Sequence, residues 1–310
     1  MYNFDLLEHP ICLSSPRRAV PFLSWRQHVP FAMLLVDVLK PRTLVELGVH
    51  YGDSYCAFCQ AVAELGLETS CYGVDTWKGD AHANFYGPEV LAGLAAHHDP
   101  LYGSFSRLVQ STFDQAVEHF ADGAIDILHI DGYHTYDAVK HDFETWLPKV
   151  NPRGVILLHD INVRQDDFGV WRFWDEVKAK HPHFEFLHCH GLGLVAASER
   201  PPEELRWLFE ADAEKAAAIR KLFFCLGDRL TDKLAQSPSQ ESVTAGGSDP
   251  EALLTAATEL EAIRSSPTWR IARKLHLLVD AVLPSGTRRR EYARRVLTRL
   301  SGRTEANARY

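Results

Sequence analysis

The chain has 310 residues, of which 46% are hydrophobic and 24% charged, and its formal net charge is -8 at pH 7. This composition is typical of a globular protein of one to two domains, and the acidic balance argues against general nucleic-acid binding. No run approaches the roughly eighteen apolar residues of a membrane-spanning helix, and the first residues lack the basic and apolar regions of a secretory signal. We therefore expect a cytoplasmic globular protein.

Residues 1–42 lead into the first domain. The pattern of residues 25–39 predicts a helix, in which Pro30 is tolerated because it falls in the first turn. Pro41 ends this helix, since the residue before a proline is driven away from helical geometry.

The segment 43–53 (Thr-Leu-Val-Glu-Leu-Gly-Val-His-Tyr-Gly-Asp) is the centre of the predicted fold. Its short apolar run is typical of a buried parallel strand, and it breaks into a turn that holds Gly48 and Gly52. A helix follows, with Asp53 or Ser54 as the expected N-cap. A strand, a glycine turn and a helix N-terminus together present backbone N–H groups to the polar end of a cofactor.

The acidic residue Glu46 narrows the choice of cofactor. A dinucleotide fingerprint needs G-x-G-x-x-G, whereas here a glutamate stands two residues before Gly48 and the two glycines are four apart. A carboxylate at this position would repel a pyrophosphate and attract an ammonium group. The segment therefore suits a cofactor that carries an amino acid, and it argues against a nicotinamide oxidoreductase.

Six cysteines are scattered along the chain: Cys12, Cys56, Cys59, Cys71, Cys189 and Cys225. Cys56 and Cys59 form a C-x-x-C pair, but the pair falls inside the first predicted helix. No second pair at similar spacing completes a zinc site. We read the pair as buried thiols in a reducing compartment.

Strands alternate with helices from residue 43 to about residue 198. Further strands are predicted over 71–75, 106–110, 125–130 and 154–158, and a hairpin over 184–188 and 192–197 closes the series. Helices are predicted between them over 88–97, 113–120, 136–147 and 169–180, with a turn at 151–154. This order predicts an α/β fold with a doubly wound, mostly parallel seven-stranded sheet that contains one antiparallel strand.

The composition changes after Pro201 and Pro202. Residues 199–236 predict a charged helical extension. Residues 237–249, rich in serine and glycine, predict a flexible linker, and residues 250–310 predict a basic helical tail.

Acidic residues stand where three of the central strands end: Asp75, Asp131 and Asp160. The carboxyl ends of parallel strands meet at one edge, which is where open α/β sheets bind ligands. Asp75 could accept hydrogen bonds from both hydroxyls of a ribose. His134 lies three residues beyond Asp131, and His159 directly precedes Asp160. Such a cluster indicates a functional site, although each aspartate could instead cap a turn.

Residues 76–88 form a segment too long for a simple connection in a compact domain, so we expect a lid or binding loop. Trp77, His82 and Tyr86 lie in it and would suit the face of a sugar or an adenosine. The same aromatic residues could also be ordinary surface side chains.

The motif E-x-G-x-x-x-G that begins at Glu46 resembles the first motif of class I S-adenosylmethionine (SAM) methyltransferases. Residues 130–139 (Ile-Asp-Gly-Tyr-His-Thr-Tyr-Asp-Ala-Val), Asp142 and residues 158–160 (Leu-His-Asp) look like the group that includes macrocin O-methyltransferase and the cephalosporin hydroxylases. The similarity covers about residues 20–198. It implies a Rossmann-like methyltransferase fold.

The resemblance also implies which residues contact ligands. SAM would be bound by residues of the first turn and of the strand ends: Glu46, Gly48, His50, Tyr51, Gly52, Asp53, Ser54, Asp75, Thr76, Trp77, Ser111 and Asp131. A divalent metal would be held by Asp131 and Asp160. His159 departs from the pattern, because relatives with a known metal site carry a glutamate at that position.

Methyl transfer from a sulfonium is an in-line displacement, so the protein must align the acceptor, the methyl group and the sulfur. A hydroxyl acceptor is a poor nucleophile until it loses its proton or binds a metal. Asp131 and Asp160 offer the oxygen ligands that Mg²⁺ prefers, and His134 or His159 could be the base. Proton removal by His134 without a metal is the alternative.

A second resemblance lies near the end of the chain. Residues 265–274 (Ser-Ser-Pro-Thr-Trp-Arg-Ile-Ala-Arg-Lys) are similar to the S-x-x-W-R segment of bacterial surface-glycan glycosyltransferases and methyltransferases. The similarity implies a sugar or glycan acceptor. This basic, amphipathic segment could lie on an anionic membrane surface or on a partner, or it could be a solvated helix.

These observations predict an enzyme, a SAM-dependent O-methyltransferase that acts on a hydroxyl of a sugar or of a glycan-linked small molecule. The alternative is a non-catalytic, SAM-binding scaffold subunit of a surface-glycan assembly complex, attached through the basic tail. Association into a homo-oligomer, or at the inner membrane surface through that tail, is left open.

Overall fold

The computed structural model describes residues 8–20 and 24–236. The predicted linker at 237–249 and the basic tail at 250–310, with its segment 265–274, lie outside the described residues.

Nine strands and eight α-helices make up the described chain. The strands are β1 (Thr43–Leu47), β2 (Ser70–Asp75), β3 (Gly79–Asp80), β4 (Asn84–Phe85), β5 (Ser106–Gln110), β6 (Ile125–Ile130), β7 (Val150–His159), β8 (His183–Phe186) and β9 (Leu192–Ala196). The α-helices are α1 (Val29–Leu39), α2 (Asp53–Leu65), α3 (Glu89–Tyr102), α4 (Phe113–Ala116), α5 (Tyr136–Trp146), α6 (Val170–Lys178), α7 (Arg206–Phe209) and α8 (Ala213–Gln236). Short 3₁₀ turns lie at Pro10–Leu13, Arg26–His28, Val117–His119, Leu147–Lys149 and Glu203–Leu205.

Seven strands form one sheet in the order β5-β2-β1-β6-β7-β9-β8. All neighbouring pairs are parallel except those of β9, which runs antiparallel to β7 and to β8. The predicted seven-stranded, mostly parallel sheet with one antiparallel strand is therefore confirmed. Leu47 is paired with both Val74 and Ile130, and Ile130 is paired with Leu158. The residues that follow these strands consequently meet at one edge of the sheet.

Helices cover both faces of the sheet, because neighbouring residues of a strand point to opposite sides. In β1, Leu44 packs into the cluster formed with α1, α2 and α8, whereas Val45 packs into the cluster formed with α5 and α6. Ile127 and Leu128 of β6 divide in the same way. All four side chains are buried, so the sheet is the middle layer of a three-layer sandwich.

The residues after β9 pack on the same core as α1. Trp207, Leu208 and Phe223 are buried there, and the ring of Phe223 lies edge-on to Phe31 at a centroid distance of 5.3 Å. Within residues 8–20 and 24–236, no helix combines the length and the apolar character needed to span a membrane.

Three local predictions differ from the structure. Residues 76–88 are not wholly irregular, because β3 and β4 pair as a short antiparallel hairpin. Helix α3 continues past residue 97 to Tyr102, because His98 is buried and hydrogen-bonded to the Ser106 hydroxyl (2.7 Å) rather than exposed at a helix end. The turn predicted at 151–154 is part of β7, whose pairing with β6 is irregular there.

Candidate active site

A cleft of about 570 Å³ opens at the edge where the central strands end. Its walls come from the turn after β1 and from the ends of β2, β6 and β7, including Asp75, the last residue of β2, and Asp131 and Asp160, which directly follow β6 and β7. The volume lies in the range of sites for small molecules and cofactors. The structure therefore brings the three predicted strand-end acids into one cavity.

The turn after β1 is built on glycines with positive φ. Gly48 (φ 89°) donates its N–H to the carbonyl of Val74 (2.9 Å), which ties the turn to the neighbouring strand. Gly52 (φ 80°) is the N-cap of α2, so the prediction that Asp53 or Ser54 caps this helix is wrong. Because Gly52 adopts the left-handed conformation, the turn ends at Gly52, and α2 already begins at Asp53.

Glu46 lies beneath the cleft rather than in its wall. Its carboxylate is fully buried, accepts a hydrogen bond from the Ser54 hydroxyl (2.7 Å) and lies 3.0 Å from Nδ1 of His129. Trp25 donates its indole N–H to Nε2 of His129 (3.3 Å), which leaves the imidazole proton on Nδ1, facing Glu46. Burial raises the pKa of Glu46.

Glu46 therefore supports the turn through Ser54 and is absent from the residues that line the cleft. The expectation that its carboxylate meets a ligand's ammonium directly has to be corrected. The reason is the pleat of β1, which turns Glu46 to the same face of the sheet as Leu44, under α2.

Asp75 joins the turn after β1 to the segment after β2. Its carboxylate accepts hydrogen bonds from the backbone N–H groups of His50 (2.9 Å) and Trp77 (2.7 Å). A carboxylate has about four acceptor positions, so two remain for a ligand in the cleft. Asp75 and Thr76 both line the cavity.

Besides Glu46, two further residues expected to contact the cofactor do not line the cleft. Trp77 is buried and donates its indole N–H to the carbonyl of His50 (3.0 Å), so it anchors the loop from below. Ser111 lies outside the lining, where Thr112 and Phe113 stand instead. Thr112 also caps α4 by accepting from the N–H of Gln115.

Two aspartates and two histidines form the centre of the cleft. Nε2 of His134 lies 3.0 Å from Oδ2 of Asp160 and 3.6 Å from Oδ1 of Asp131. Nδ1 of His159 lies 3.3 Å from Oδ1 of Asp131 and 3.4 Å from Oδ2 of Asp160. Each imidazole thus faces both carboxylates.

The protonation of this centre follows from its partners. Nδ1 of His159 faces carboxylates, and its Nε2 lies 3.2 Å from the carbonyl of Ser24 and 3.1 Å from that of Cys189. Because both ring nitrogens meet only acceptors, His159 is an imidazolium, and its pKa is raised by the two aspartates against the opposing effect of burial.

The same aspartates raise the pKa of His134 to about 9, again against burial. The imidazoles in turn lower the pKa values of Asp131 and Asp160, also against burial. The four side chains therefore form a compact group in which two negative charges are balanced by two positive charges.

His190 is a contact of the centre that the sequence did not reveal. Its Nδ1 lies 3.0 Å from Oδ1 of Asp160, the oxygen not used by His134 or His159. Both Asp160 (φ 59°) and His190 (φ 67°) adopt the left-handed backbone conformation, which is uncommon outside glycine and tends to occur at functional sites. His190 belongs to the connection that the sequence predicts only as a hairpin turn.

An aromatic wall, formed by Phe168, His82 and Tyr133, lies beside His134. The ring of Phe168 stacks on His134 (centroid distance 4.8 Å, interplanar angle 4°) and on His82 (4.4 Å, 20°). Nε2 of His82 lies 2.6 Å from Asp167, which ties the segment after β2 to the segment before α6. Tyr133 packs on His82 at 4.7 Å. Phe168 and Tyr133 were missed from sequence because both lie in loops without periodicity.

The cleft is acidic. Among the described residues, seven aspartates and five histidines line it, and no lysine or arginine does. Such a lining favours neutral or cationic ligands and disfavours ligands that carry phosphates, because like charges repel in a site of low dielectric constant.

A divalent cation fits the centre chemically. One ligand atom from each of Asp131, His134 and Asp160 lies within 4.8 Å of the others. Paired carboxylates supply the hard oxygen atoms that Mg²⁺ and Mn²⁺ prefer.

Comparison with known families and proteins adds to this geometry. Residues 45–161 match the model of a family described as a methyltransferase domain. The chain is 50% identical over 193 residues to the uncharacterized protein y4gI of Sinorhizobium fredii (strain NBRC 101917 / NGR234). The alignment covers 62% of this chain but only 21% of that protein, so the chain spans about a fifth of its relative's length.

Similar solved structures include cofactor-bound Rv0187 from MTB, with 16% identity, a TM-score of 0.45, and coverage of 63% of this chain and 88% of that one. The O-methyltransferase TomG from Streptomyces achromogenes, in complex with SAM, has 12% identity, a TM-score of 0.42, and coverage of 58% and 91% respectively. At these TM-scores the similarities establish no function for this chain.

Proposed function

We propose that this chain is a SAM-dependent O-methyltransferase. Its residues 45–161 match a methyltransferase domain and form the core of a doubly wound sheet. The observation that carries the proposal is the arrangement of one cleft. Asp75 and the glycine turn stand at its cofactor side, and His134 with Asp131 and Asp160 stands beside them in the same cavity.

The donor's adenosine and methionyl parts would lie along the edge of the sheet. Asp75 keeps two acceptor positions for the ribose hydroxyls, and the residues of the turn from Gly48 to Ser54 line the cavity. Thr112 and Phe113, rather than Ser111, line the side next to β5 and would meet the adenine.

His134 is the proposed base. In the transfer, an acceptor oxygen forms a bond to the methyl carbon, the S–CH₃ bond breaks with its electron pair left on sulfur, and the hydroxyl proton passes to the imidazole. His134 rests as an imidazolium because its pKa is raised to about 9, so it has to release that proton to solvent before it can act as the base. A cationic donor bound beside it lowers that pKa, since like charges disfavour the protonated form.

His159 is not the base, because both of its nitrogens already serve as donors to fixed acceptors. It holds Asp131 and Asp160 in place, and those carboxylates orient His134. Asp131 and Asp160 would also hold a divalent cation, which when bound acts as a Lewis acid toward the acceptor oxygen.

The proposed acceptor is a neutral or cationic polyhydroxylated molecule such as a sugar or glycan-linked compound. Two observations support this: the acidic lining without lysine or arginine among the described residues, and the aromatic wall in which Tyr133 is 37% exposed. An exposed tyrosine ring offers a flat apolar face to a sugar. Phosphorylated or nucleotide-linked sugars would be poor acceptors, since they would bring anions into a cleft that holds further aspartates besides the balanced pair Asp131 and Asp160 and, among the described residues, no lysine or arginine.

The test has two stages. Calorimetry with SAM and with its demethylated product should show binding of both, and an absence of heat and of thermal stabilisation with either would end the proposal. Transfer of a radiolabelled methyl group from SAM would then be measured on panels of neutral glycosides, amino sugars and sugar phosphates. Donor binding without transfer to any panel member would favour the non-catalytic scaffold instead.

A further inference from the structure

Asp53, the first residue of α2, lies on the cofactor side of the cleft. It lines the cavity together with Ser24, Trp25 and Ser54. Both of its carboxylate oxygens are buried and have no side-chain hydrogen-bond donor among the described residues, although the backbone of Val20 interacts with the carboxyl. A buried carboxylate with so few donors is costly, and such a group in a residue that lines a cavity indicates a missing ligand donor.

Asp53 keeps its charge in this position. Burial raises the pKa of its carboxyl to about 6, while Arg26, a hydrogen bond from the Val20 backbone and Arg18 lower it, so most of the group is still ionised at neutral pH. Neither arginine forms a direct ion pair with Asp53 among the described residues, although Nε of Arg26 is buried without a partner of its own. Arg18 donates to the carbonyl of Tyr51 (2.6 Å), and Arg26 donates to the carbonyl of Val20. The N-terminus of α2 further favours a negative charge at its first residue.

We propose, building on the proposed function, that Asp53 is the carboxylate that recognises the α-ammonium group of the donor's methionyl part. An ammonium group carries three N–H donors and a full positive charge, which is what the two unsatisfied oxygens of Asp53 require. Glu46 cannot take this role, because it is fully buried, already bonded to Ser54 and absent from the cavity wall.

The position of Asp53 fits a donor whose ribose is held by Asp75. Asp75 is joined to the turn after β1 through the N–H of His50, and that turn runs directly into Asp53. Both aspartates therefore line the same cofactor side of the cleft. A molecule with a ribose and an α-amino acid at opposite ends could use both.

Two ligands that differ in the α-amino acid test this role. S-Adenosylhomocysteine carries the ammonium group, whereas 5′-methylthioadenosine keeps the nucleoside and the thioether but lacks the amino acid. Calorimetry would compare both ligands on the full chain and on Asp53→Asn, which keeps the shape of the side chain. We expect the substitution to weaken the affinity for S-adenosylhomocysteine by about 10- to 100-fold and to change the affinity for 5′-methylthioadenosine by less than about twofold.

Asp137→Asn is the matched control, because Asp137 also lies in the first turn of a helix, α5, but is exposed and outside the cleft. It should leave both affinities unchanged. Should Asp53→Asn fold poorly in thermal melts, Asp53→Ser is the second variant, because serine is well tolerated where a helix begins.

An equal loss of affinity for both ligands in the Asp53 variants would show that Asp53 only shapes the turn. Unchanged affinity for S-adenosylhomocysteine would show that the ammonium group is bound elsewhere. Either result overturns the inference while the proposed function stands. Failure of the unaltered chain to bind S-adenosylhomocysteine would remove the proposed function itself, and the role of Asp53 with it.

Discussion

Gly48 and Asp131 touch through their backbones at the point where β1 and β6 end. A side-chain carbon placed on Gly48 would stand 1.9 Å from the carbonyl oxygen of Asp131, and the φ of Gly48 is 89°. Since Asp131 is one of the two central carboxylates, this close approach links the glycine turn on the cofactor side to the centre of the cleft.

We predict that Gly48→Ala is strongly destabilising and weakens donor binding. The methyl group meets backbone that cannot rotate away, and alanine is strained at this φ, so a loss of about 3 kcal/mol or more is expected in urea denaturation. Gly93→Ala is the control, because nothing lies within 4 Å of the added carbon in α3. It should stabilise by up to about 1 kcal/mol. Similar stabilities of the two variants would contradict the prediction.

We predict that His134→Gln lowers kcat by about 10²- to 10⁴-fold, because glutamine cannot accept the hydroxyl proton. The affinity for SAM should stay within about threefold, since the amide can still donate to Asp160. His119→Gln, at an exposed position outside the cleft, should match the unaltered chain. Initial rates of methyl transfer and calorimetry with SAM separate the two effects. A fall in SAM affinity with unchanged kcat would exclude His134 as the base.

Much of the fold was predictable because its strands are buried on both faces. The strands Ser106–Gln110 and Ile125–Ile130 have the bounds that their apolar runs predict. The errors fall where the local pattern is misleading. His98 looks like the end of a helix but is buried by its bond to Ser106, and Asn151 with Gly154 looks like a turn but lies in β7.

The candidate site was predictable only in part. Asp75, Asp131 and Asp160 could be placed together because each stands at the carboxyl end of a central strand. His190 and Phe168 could not, since they reach the cleft from connections whose course depends on tertiary packing. The orientation of Glu46 can be predicted from the sequence, because neighbouring residues of a strand point to opposite faces of the sheet. Glu46 therefore lies on the face opposite to Val45, which is the face that α2 covers.

We predict that Asp142→Asn stabilises the protein at alkaline but not at acidic pH. Asp142 is 8% exposed, and burial raises its pKa to about 7. The folded state therefore holds a proton that the unfolded state releases above about pH 4, so this group's contribution to stability falls between about pH 4 and pH 7. Above about pH 7 the buried carboxylate of Asp142 is ionised, and the folded state then carries the full cost of burying this charge, on the order of 2–4 kcal/mol.

Urea denaturation at pH 5 and pH 8 measures this difference. Asp142→Asn should gain markedly more over the unaltered chain at pH 8 than at pH 5. Asp137→Asn, an exposed position on the same helix, should show no such change. An equal effect of Asp142→Asn at both pH values would mean that its carboxyl titrates alike in the folded and unfolded states.

We predict that Phe168→Ala impairs use of the acceptor without affecting the donor. Its ring stacks on both His134 and His82, and losing such aromatic contacts removes about 0.5–1.5 kcal/mol each. The KM for the acceptor should rise by about 2- to 10-fold while SAM affinity stays constant. Phe85→Ala is the control, because Phe85 is 79% exposed and outside the lining. Loss of SAM affinity in Phe168→Ala would place this wall on the donor side instead.

We predict that a divalent cation binds between Asp131 and Asp160 and supports transfer. Mn²⁺ or Mg²⁺ at about 100 times its dissociation constant should stabilise the folded state by about 2.7 kcal/mol and raise Tm by several degrees. Asp160→Asn should abolish this rise, because it removes one of the two carboxylates that would hold the cation. Chelation with EDTA should lower kcat but leave SAM binding in place, and added Mg²⁺ or Mn²⁺ should restore it. Unchanged Tm and unchanged kcat under both treatments would assign proton removal to His134 without a metal.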